Sequence, residues 1–423
     1  MSDDPVVVVG AGLAGLSCAV ALRDAGVAVR VLEAADGVGG RVRSDRIDGF
    51  TLDRGFQVTL TAYPEMHRQF DLDALDLRAF DPGALVWRDS RGSTVSDPFR
   101  RPLTVASTVA APIGGPFDKA RIALLRARLR RVHPAQLLRG DDVTTAEALT
   151  EAGFSDTIVD RFFRALVGGI QLDPGLSDSR RAFDVIFRML SDGDSAVPAA
   201  GMGAISDQLA ARLPAGTVEL GRRVASTSPS SVRTDDGHEI AACAVVVATE
   251  GPAAVDLLGL PPVASKAAGC VHFAADEAPS DTRCVILDGT GRGPVLNVAV
   301  MSNVAPSYAP PGRHLVTAAL PGAADGDLER IARTQLRGWW GGAVDRWEHL
   351  ATYRIPHGQP GQSPPFSPKR SVALADGRFV CGDHRDTASI QGALFSGRRC
   401  AAEVAVSLGL DASPSAVGPA VDA

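Results

Sequence analysis

Lysine is scarce in this chain. Lys119, Lys266 and Lys369 are the only three lysines among 43 basic residues, so arginine supplies nearly all of the positive charge. The arginine bias is typical of GC-rich coding sequences and indicates no partner by itself. It does limit the chemistry, because a mechanism that requires an amine side chain has three residues to choose from.

Tyrosine and cysteine are also few, with three and six residues respectively in a chain of 423. No cysteine lies in a CxxC pair or near a histidine at metal-ligand spacing, so we expect small core residues and no metal site. No apolar run reaches about 18 residues, so no membrane-spanning helix is predicted. The acidic segment after Met1 predicts no secretory signal, and we expect a reducing, cytoplasmic compartment.

The overall composition is that of a folded protein. Hydrophobic residues make up 45% of the chain and charged residues 22%, with a net charge of −6. These values predict one large domain or two to three ordinary ones with a substantial core. The net negative charge is unlike that of a nucleic-acid-binding protein, and we expect no such partner.

The N-terminus carries a pattern typical of dinucleotide-binding units. A β-branched run at 6–9 precedes Gly10, Gly12 and Gly15, and helical spacing follows. Such glycines allow a tight turn, close approach of a pyrophosphate to the backbone, and helix–strand packing. Glu33 ends a second predicted strand, where a carboxylate accepts hydrogen bonds from ribose hydroxyls. The pattern therefore predicts ADP binding, but it does not distinguish FAD from NAD.

Three further stretches make that distinction. They are Asp36–Arg43, Gly49–Gln57, and a C-terminal pair formed by Phe379–His384 and Ser389–Gly397. Together with the N-terminal glycines, they resemble the flavin amine oxidase / phytoene desaturase superfamily, which includes protoporphyrinogen oxidases. The chain is most similar to the carotenoid desaturase-like branch. The resemblance spans nearly the whole sequence.

The resemblance implies non-covalent FAD as the cofactor and an amine-oxidase-like fold. In this fold a Rossmann-type α/β FAD domain is interleaved with an α+β substrate domain of mixed sheet and helices. The expected FAD-binding residues are Gly10, Gly12, Leu13, Ala14, Gly15, Glu33, Gly39, Gly40, Arg41, Gly55, Phe56, Gln57, Val224, Gly382, Asp383, Gln391, Gly392 and Ala393. The predicted FAD domain comprises 1–80, 197–258 and 366–410, the substrate domain 81–196 and 259–365, and a frayed tail 411–423.

Two further segments indicate their secondary structure. The segment 118–132 predicts a basic amphipathic helix, with apolar Ile122, Leu125 and Leu129 at helical spacing and six cations around them. The proline-rich segment 356–368 predicts a loop. No second glycine motif stands between a strand and a helix, so we expect no NAD(P) domain. Electrons would then pass from an organic substrate to oxygen or a quinone.

Amine oxidation is a poorer match than oxidation of an apolar substrate. The lysine that many amine oxidases place near the flavin has its nearest counterpart in Lys266, which is offset in register. The position of an aromatic cage residue is occupied by Ser389, and 347–365 contains no cysteine for a covalent flavin. Segments 162–174 and 183–190 are rich in Phe, Leu and Ile, as expected for an apolar tunnel.

The sequence therefore predicts an FAD-dependent oxidoreductase that desaturates or isomerises an apolar, carotenoid- or isoprenoid-like substrate by hydride transfer. An amine or amino-acid oxidase, and a non-catalytic flavin- or isoprenoid-binding protein, remain as alternatives. The catalytic residue is not identified; the pocket candidates are Gln57, Tyr353, His357 and Ser389. The basic segment 118–132 is a possible site of peripheral membrane contact.

Overall fold

The computed structural model describes residues 4–96, 100–101, 104–291 and 293–410. The predicted tail 411–423 lies outside the described residues. The described strands are β1 Val6–Val9, β2 Val29–Leu32, β3 Ser44–Ile47, β4 Phe50–Asp53, β5 Thr59–Leu60, β6 Leu77–Ala79, β7 Gly83–Arg88, β8 Arg91–Ser96, β9 Ser195–Pro198, β10 Val218–Glu219, β11 Val224–Thr227, β12 Ser231–Thr234, β13 Glu239–Ala241, β14 Ala244–Val247, β15 Ser265–Ala275, β16 Val285–Asp288, β17 Asn297–Val300, β18 His314–Pro321, β19 Glu348–Pro360 and β20 Phe379–Val380.

The described α-helices alternate with these strands. They are α1 Leu13–Asp24, α2 Pro64–Gln69, α3 Val105–Ala110, α4 Pro116–Arg131, α5 Pro134–Leu137, α6 Thr145–Glu151, α7 Asp156–Ile158, α8 Arg164–Ile170, α9 Arg180–Asp192, α10 Gly203–Ala210, α11 Gly251–Leu258, α12 Met301–Val304, α13 Leu328–Trp340 and α14 Ile390–Ser407. A π-helical turn, Val159–Phe163, joins α7 to α8, and short 3-10 turns occupy Pro306–Tyr308, Gly341–Arg346 and Asp383–Arg385.

A parallel five-stranded sheet carries the glycine motif. Its strand order is β10-β2-β1-β14-β20, and all of its pairs are parallel. The central strands β1 and β14 are buried along their whole length, as expected for valine-rich strands covered on both faces. Helix α1 packs against α14 on one face. The carboxyl ends of β1, β2 and β14 therefore meet at one edge, which is where ligands bind in such sheets.

A second, mixed sheet has the order β19-β15-β18-β17-β16-β7-β8. Helix α13 packs against it, and the helices α4 to α9 form a separate apolar cluster beside it. The chain passes between the two sheets several times, so each sheet is assembled from distant segments. The α/β plus α+β fold class is therefore confirmed, whereas the exact domain boundaries stay a prediction.

One predicted segment is corrected by the structure. The proline-rich stretch was expected to be a loop from 356 onward, but β19 continues through Pro356 to Pro360. Strand β19 is the last strand of its sheet, so one side of its backbone requires no ladder partner. Proline, which has no N–H to donate, is tolerated at such an edge.

Candidate active site

A cavity of about 1250 Å³ lies between the two sheets. One end is formed by the loops at the carboxyl ends of β1, β2 and β14, and the other by α3, α4, α8 and α9. It is large enough for a dinucleotide and a substrate, since drug-sized ligands occupy cavities of roughly 300–1,000 Å³. The predicted cofactor residues that line it are Gly10, Gly12, Leu13, Ala14, Glu33, Gly39, Gly40, Arg41, Gly55, Phe56, Gln57, Val224, Gly382, Asp383 and Ala393.

In the glycine loop after β1, Gly15 is packed against its neighbours whereas Gly12 borders open space. A Cβ on Gly15 would lie 2.0 Å from the Gly10 carbonyl oxygen, so Gly15 serves helix–strand packing and does not line the cavity. A Cβ on Gly12 would meet nothing within 4 Å. Gly12 is also the N-cap of α1, without a side-chain cap or an acidic residue in the first turn. Free space in front of unoccupied helix N–H groups fits a pyrophosphate.

Glu33 lies beside this loop at the end of β2. Its Oε2 accepts a hydrogen bond from the Ala11 N–H at 2.7 Å, and its Oε1 accepts one from the Ala35 N–H at 2.8 Å. Each carboxylate oxygen retains a lone pair, because an ionised carboxylate offers about four acceptor sites. The backbone thus holds the carboxylate in place while it stays available to ribose hydroxyls. This geometry fits the adenosine half of FAD.

Arg41 links the glycine-rich second motif to the C-terminal motif. Its Nη2 lies 2.8 Å from Asp383 Oδ1, and its Nη1 donates to the Gly358 carbonyl oxygen at 2.7 Å. The two glycines before it, Gly39 and Gly40, adopt φ values of +106° and +57°. Residues from three distant parts of the chain are therefore held together at the middle of the cavity, where a dinucleotide phosphate is expected.

The start of α14 faces the cavity through part of its first turn. Ser389 Oγ caps the helix by accepting from the Gly392 N–H at 3.0 Å. Ser389 and Ala393 line the cavity, whereas Gln391 does not: its Oε1 accepts from the Glu65 N–H at 2.9 Å. Gly392 also lies outside the lining residues. Of the three residues predicted at this helix start, only Ala393 lines the cavity.

The sequence candidates for catalysis are only partly brought together. Gln57 and Ser389 line the cavity, whereas Tyr353 and His357 do not. Gln57 Nε2 donates to the carbonyl oxygens of Arg41 and Arg54 at 2.7 and 2.9 Å, so its amide nitrogen is already engaged. The Tyr353 hydroxyl donates to Asp45 Oδ2 at 2.7 Å.

Lys266 does not line the cavity either. Its Nζ is paired with the fully buried Asp178 and donates to the Gln171 carbonyl oxygen at 2.9 Å. Burial raises the pKa of Asp178, and the lysine charge opposes that shift. The amine is therefore engaged with protein acceptors away from the cavity.

Several lining residues were missed by the sequence analysis. Thr249 follows β14, and its buried Oγ1 has no hydrogen-bond partner among the described residues. Tyr63 lies near Ser389, and burial raises its pKa to about 12. Asn297 lines the far part and donates from Nδ2 to the Ala165 carbonyl oxygen at 2.9 Å. Of these three residues, Thr249 carries a sequence signal for a ligand site, because it stands at the carboxyl end of a parallel strand.

A buried hydrogen-bond network around Asp53 supports the loop that carries Gly55. Asp53 accepts from the Tyr308 hydroxyl at 2.9 Å, the Ser44 hydroxyl at 2.5 Å and the Met202 N–H at 2.8 Å. Burial raises its pKa to about 6, against the opposing effect of these hydrogen bonds. The network joins β3, β4 and the segment before α10 to the turn after α12.

We expect the Asp53→Asn substitution to change the pH dependence of stability. Between pH 4 and 6 the Asp53 carboxyl keeps its proton in the folded protein and loses it in the unfolded chain. The stability of the folded wild type therefore falls as pH rises from about 4 through 6. The Asn side chain does not titrate. The unfolding free energy of the variant minus that of the wild type should therefore increase by about 2 kcal/mol from pH 4 to 7, as urea unfolding measures. A difference that does not change with pH would contradict the shifted pKa.

Comparisons with known proteins agree with this geometry. Residues 13–405 match the family described as flavin containing amine oxidoreductase. A phytoene dehydrogenase of Streptomyces griseus is 30% identical over 371 residues, 74% of this chain and 71% of that protein. A 4,4'-diapolycopene oxygenase of Methylomonas sp is 50% identical over 50 residues, 12% of this chain and only 10% of that protein.

A solved structure extends the comparison to the fold. Cyclohexylamine oxidase from Brevibacterium oxydans superposes with a TM-score of 0.68 at 16% identity, covering 96% of this chain and 100% of that one. At this identity the likeness concerns the fold alone. The family match spans most of the chain and includes Gly15, Glu33, Arg41 and the Gly382–Asp383 motif. The chain therefore belongs to the flavin-containing amine oxidoreductase family, and it is an FAD-dependent oxidoreductase.

Proposed function

We propose that the chain desaturates, or isomerises through the same flavin chemistry, an apolar polyene-like substrate of the carotenoid or isoprenoid class. The observation that carries the proposal is the far part of the cavity. It is lined by large apolar side chains from the turn before α4, the π-helical turn, α8 and α9, namely Ile113, Phe162, Leu166, Ile170, Ile186, Phe187 and Leu190. Such a surface binds hydrocarbon by excluding water and offers an amine few partners.

In this proposal the residues near the five-stranded sheet bind FAD without a covalent bond. Glu33 would accept hydrogen bonds from the ribose hydroxyls, the α1 N-terminus and Arg41 would bind the phosphates, and Asp383 is paired with Arg41. The backbone of Val224 would contact the adenine, and the segment 55–57 would contact the flavin. When bound, FAD supplies the acceptor for the hydride that leaves the substrate.

The apolar part of the cavity would orient the substrate and exclude water. We assign no catalytic acid or base: the proton that a desaturation also releases would pass to water outside the apolar part of the cavity. Ser389 is engaged as a helix cap and Gln57 in backbone hydrogen bonds. We therefore propose that these two side chains position the loop and the helix around the flavin and take no proton themselves.

Amine oxidation is the second candidate, favoured by the fold shared with cyclohexylamine oxidase. Two observations favour the apolar substrate instead. Lys266 is paired with Asp178 outside the cavity. Ser389, which replaces an aromatic cage residue, supplies no ring to hold an amine. A flavin- or isoprenoid-binding protein without turnover is a third candidate.

Anaerobic reduction of the purified, FAD-loaded protein separates these candidates. We expect the visible flavin absorption to bleach with a hydrogenated carotenoid precursor in detergent, and not with a panel of primary amines. Bleaching by amines alone would replace the proposal with amine oxidation. No bleaching with carotenoids, amines or porphyrinogens, together with co-purified lipid, would identify a carrier.

We further propose that oxygen or a quinone accepts the electrons. Mixing the reduced protein with air-saturated buffer, or anaerobically with a soluble quinone, measures the return of the oxidised flavin spectrum. Reoxidation by the quinone at least ~10-fold faster than by oxygen would assign the quinone. Reoxidation by neither acceptor would contradict both assignments.

A surface on α3 and α4, two of the helices that line the cavity, fits peripheral contact with an anionic membrane. Within the described residues, no helix is long and apolar enough to cross a bilayer. The predicted apolar stripe of α4 faces inward, since Leu125 and Leu129 are buried. The exposed apolar residues are instead Val109, Phe117 and Leu124, with exposed fractions of 61%, 79% and 69%. They form, with the cations of α4, the surface that we call the α3–α4 face.

The Phe117→Ser/Leu124→Ser double substitution tests this surface. Burial of an exposed apolar side chain contributes roughly 1.5–3 kcal/mol, so we expect binding to phosphatidylglycerol vesicles to weaken at least ~10-fold in co-sedimentation. Leu220→Ser is the matched control, because Leu220 is exposed elsewhere on the chain. Equal binding by wild type and double variant, or equal binding to neutral vesicles, would exclude the α3–α4 face as an anionic-membrane contact.

A further inference from the structure

Three cysteines far apart in sequence meet in the core beneath the cofactor site. Cys18 lies in α1, Cys381 directly follows β20, and Cys400 lies in α14. All three are free and have no exposed surface. Their Sγ atoms lie within 4.8 Å of one another. Sequence spacing does not reveal this group, which we call the thiol cluster, because only the fold brings it together.

We propose that the thiol cluster binds one copper(I) ion through its three sulfur atoms. A metal–thiolate bond of about 2.3 Å places three sulfurs around one ion about 4 Å apart. The observed upper limit of 4.8 Å exceeds that spacing by less than 1 Å. Small rotations of the three side chains therefore suffice, and no shift of the backbone is required.

The number and type of ligands select the metal. Among the described residues, the cluster contains three cysteines and no histidine or carboxylate. Zinc in structural protein sites takes four ligands, and full burial of the cysteines leaves no open position for water. Copper(I) favours soft thiolates. Binding exchanges thiol protons for the ion, which releases protons to solvent and changes no oxidation state.

Occupation of the cluster would join three elements of the FAD-binding sheet. Helices α1 and α14 already approach closely, since a Cβ on Gly397 would lie 2.2 Å from the Ala14 carbonyl oxygen. Cys381 is followed directly by Gly382 and Asp383, the latter paired with Arg41. A bound ion would hold Cys381, and with it the adjoining Gly382 and Asp383, against α1 and α14. We therefore expect copper-loaded protein to melt at a higher temperature and to release FAD more slowly.

The test uses FAD-loaded protein, both purified from copper-supplemented cells and titrated anaerobically with copper(I) against a chromophoric chelator. We expect about one copper per chain in each case and a first shell of sulfur only, at about 2.3 Å, in X-ray absorption. Absence of copper in both preparations would overturn the proposal. So would a first shell that contains nitrogen or oxygen.

Variants assign the ligands. Cys18→Ser and Cys400→Ser, singly and combined, are expected to lose the bound copper. Cys270→Ser is the matched control, because Cys270 is equally buried but lies outside the cluster. Retention of copper by the double variant would overturn the assignment. If these variants do not fold, the X-ray absorption of the wild type decides alone.

Discussion

Replacement of Gly12 by aspartate is expected to weaken FAD binding at least ~100-fold while the chain still folds. The new side chain enters space that is open in the structure, since a Cβ at this position meets no atom within 4 Å. Aspartate is a favourable N-cap, so α1 should gain rather than lose stability. Its carboxylate would instead lie where the pyrophosphate is expected. Two like charges about 4 Å apart repel by about 4 kcal/mol near a protein surface, which exceeds the 2.7 kcal/mol of a 100-fold change.

Flavin fluorescence titration of the apo-protein measures the affinity, and urea unfolding without FAD measures the stability. Gly12→Ser separates charge from size, because it caps the helix without a charge and should bind FAD more tightly than the aspartate variant. Gly338→Asp is the control for the added charge, since Gly338 is exposed, has open space around it and does not adopt a positive φ. Unchanged FAD affinity in Gly12→Asp would show that the cofactor phosphates lie elsewhere.

Loss of the buried ion pair between α2 and α14 is expected to have the largest effect on stability. Arg398 donates to both carboxylate oxygens of Glu65, at 3.2 and 2.7 Å, and the exposed side-chain fractions are 9% and 3%. Arg398→Met leaves the buried Glu65 carboxylate with the Gln69 amide at 2.7 Å and the Arg68 guanidinium at the longer distance of 3.7 Å. Removal of one partner of a buried pair costs about 3–5 kcal/mol, and these two remaining contacts place our expectation at the lower end, about 3 kcal/mol.

The Glu65→Leu/Arg398→Met double variant should recover most of that loss, since no buried charge remains. Arg30→Met provides the comparison, because its partner Glu219 and Arg30 itself are partly exposed, at 27% and 38%. We expect that change to cost less than about 1 kcal/mol. Urea unfolding of FAD-saturated protein measures all three variants. A double variant as unstable as Arg398→Met would show that packing, not charge, determines the loss.

The local parts of the cofactor site were predictable from sequence. Strand β1, the glycine turn and α1 depend on neighbouring residues, and the positions of Gly10, Gly12 and Glu33 follow from that order. These elements need no knowledge of distant contacts. Their agreement with the structure therefore reflects strong local preferences.

The end of β19 was not predictable in the same way. Its prolines indicate a loop, but the strand lies at a sheet edge, where a missing N–H costs nothing. The ladder with β15 is also irregular, since Ala268 pairs with Ile355 and Lys266 with Gln359. The period-two rule for side-chain direction fails across this bulge. Ile355 lines the cavity as a result, while His357 does not.

Charge pairing also depends on distant residues. Sequence showed that Lys266 is offset in register from the flavin-side lysine of amine oxidases, but it did not show that the fully buried Asp178 lies within reach and holds the amine. Helix α4 is a second example. Its regularly spaced Leu125 and Leu129 are buried by the rest of the protein, whereas Phe117 and Leu124 are exposed. In both cases the deciding partner is more than 50 residues away along the chain.

The interleaved five-stranded sheet has a consequence for biosynthesis. Strand β20 joins β14 from residues 379–380, and α14 packs against α1 from residues 390–407. The glycine loop is synthesised long before Gly382 and Asp383, which line the same cavity. Contacts over such long sequence separations form slowly. The nascent chain therefore remains without a complete flavin site until Asp383 has left the ribosome, which makes chaperone contact and FAD supply matter most after that point.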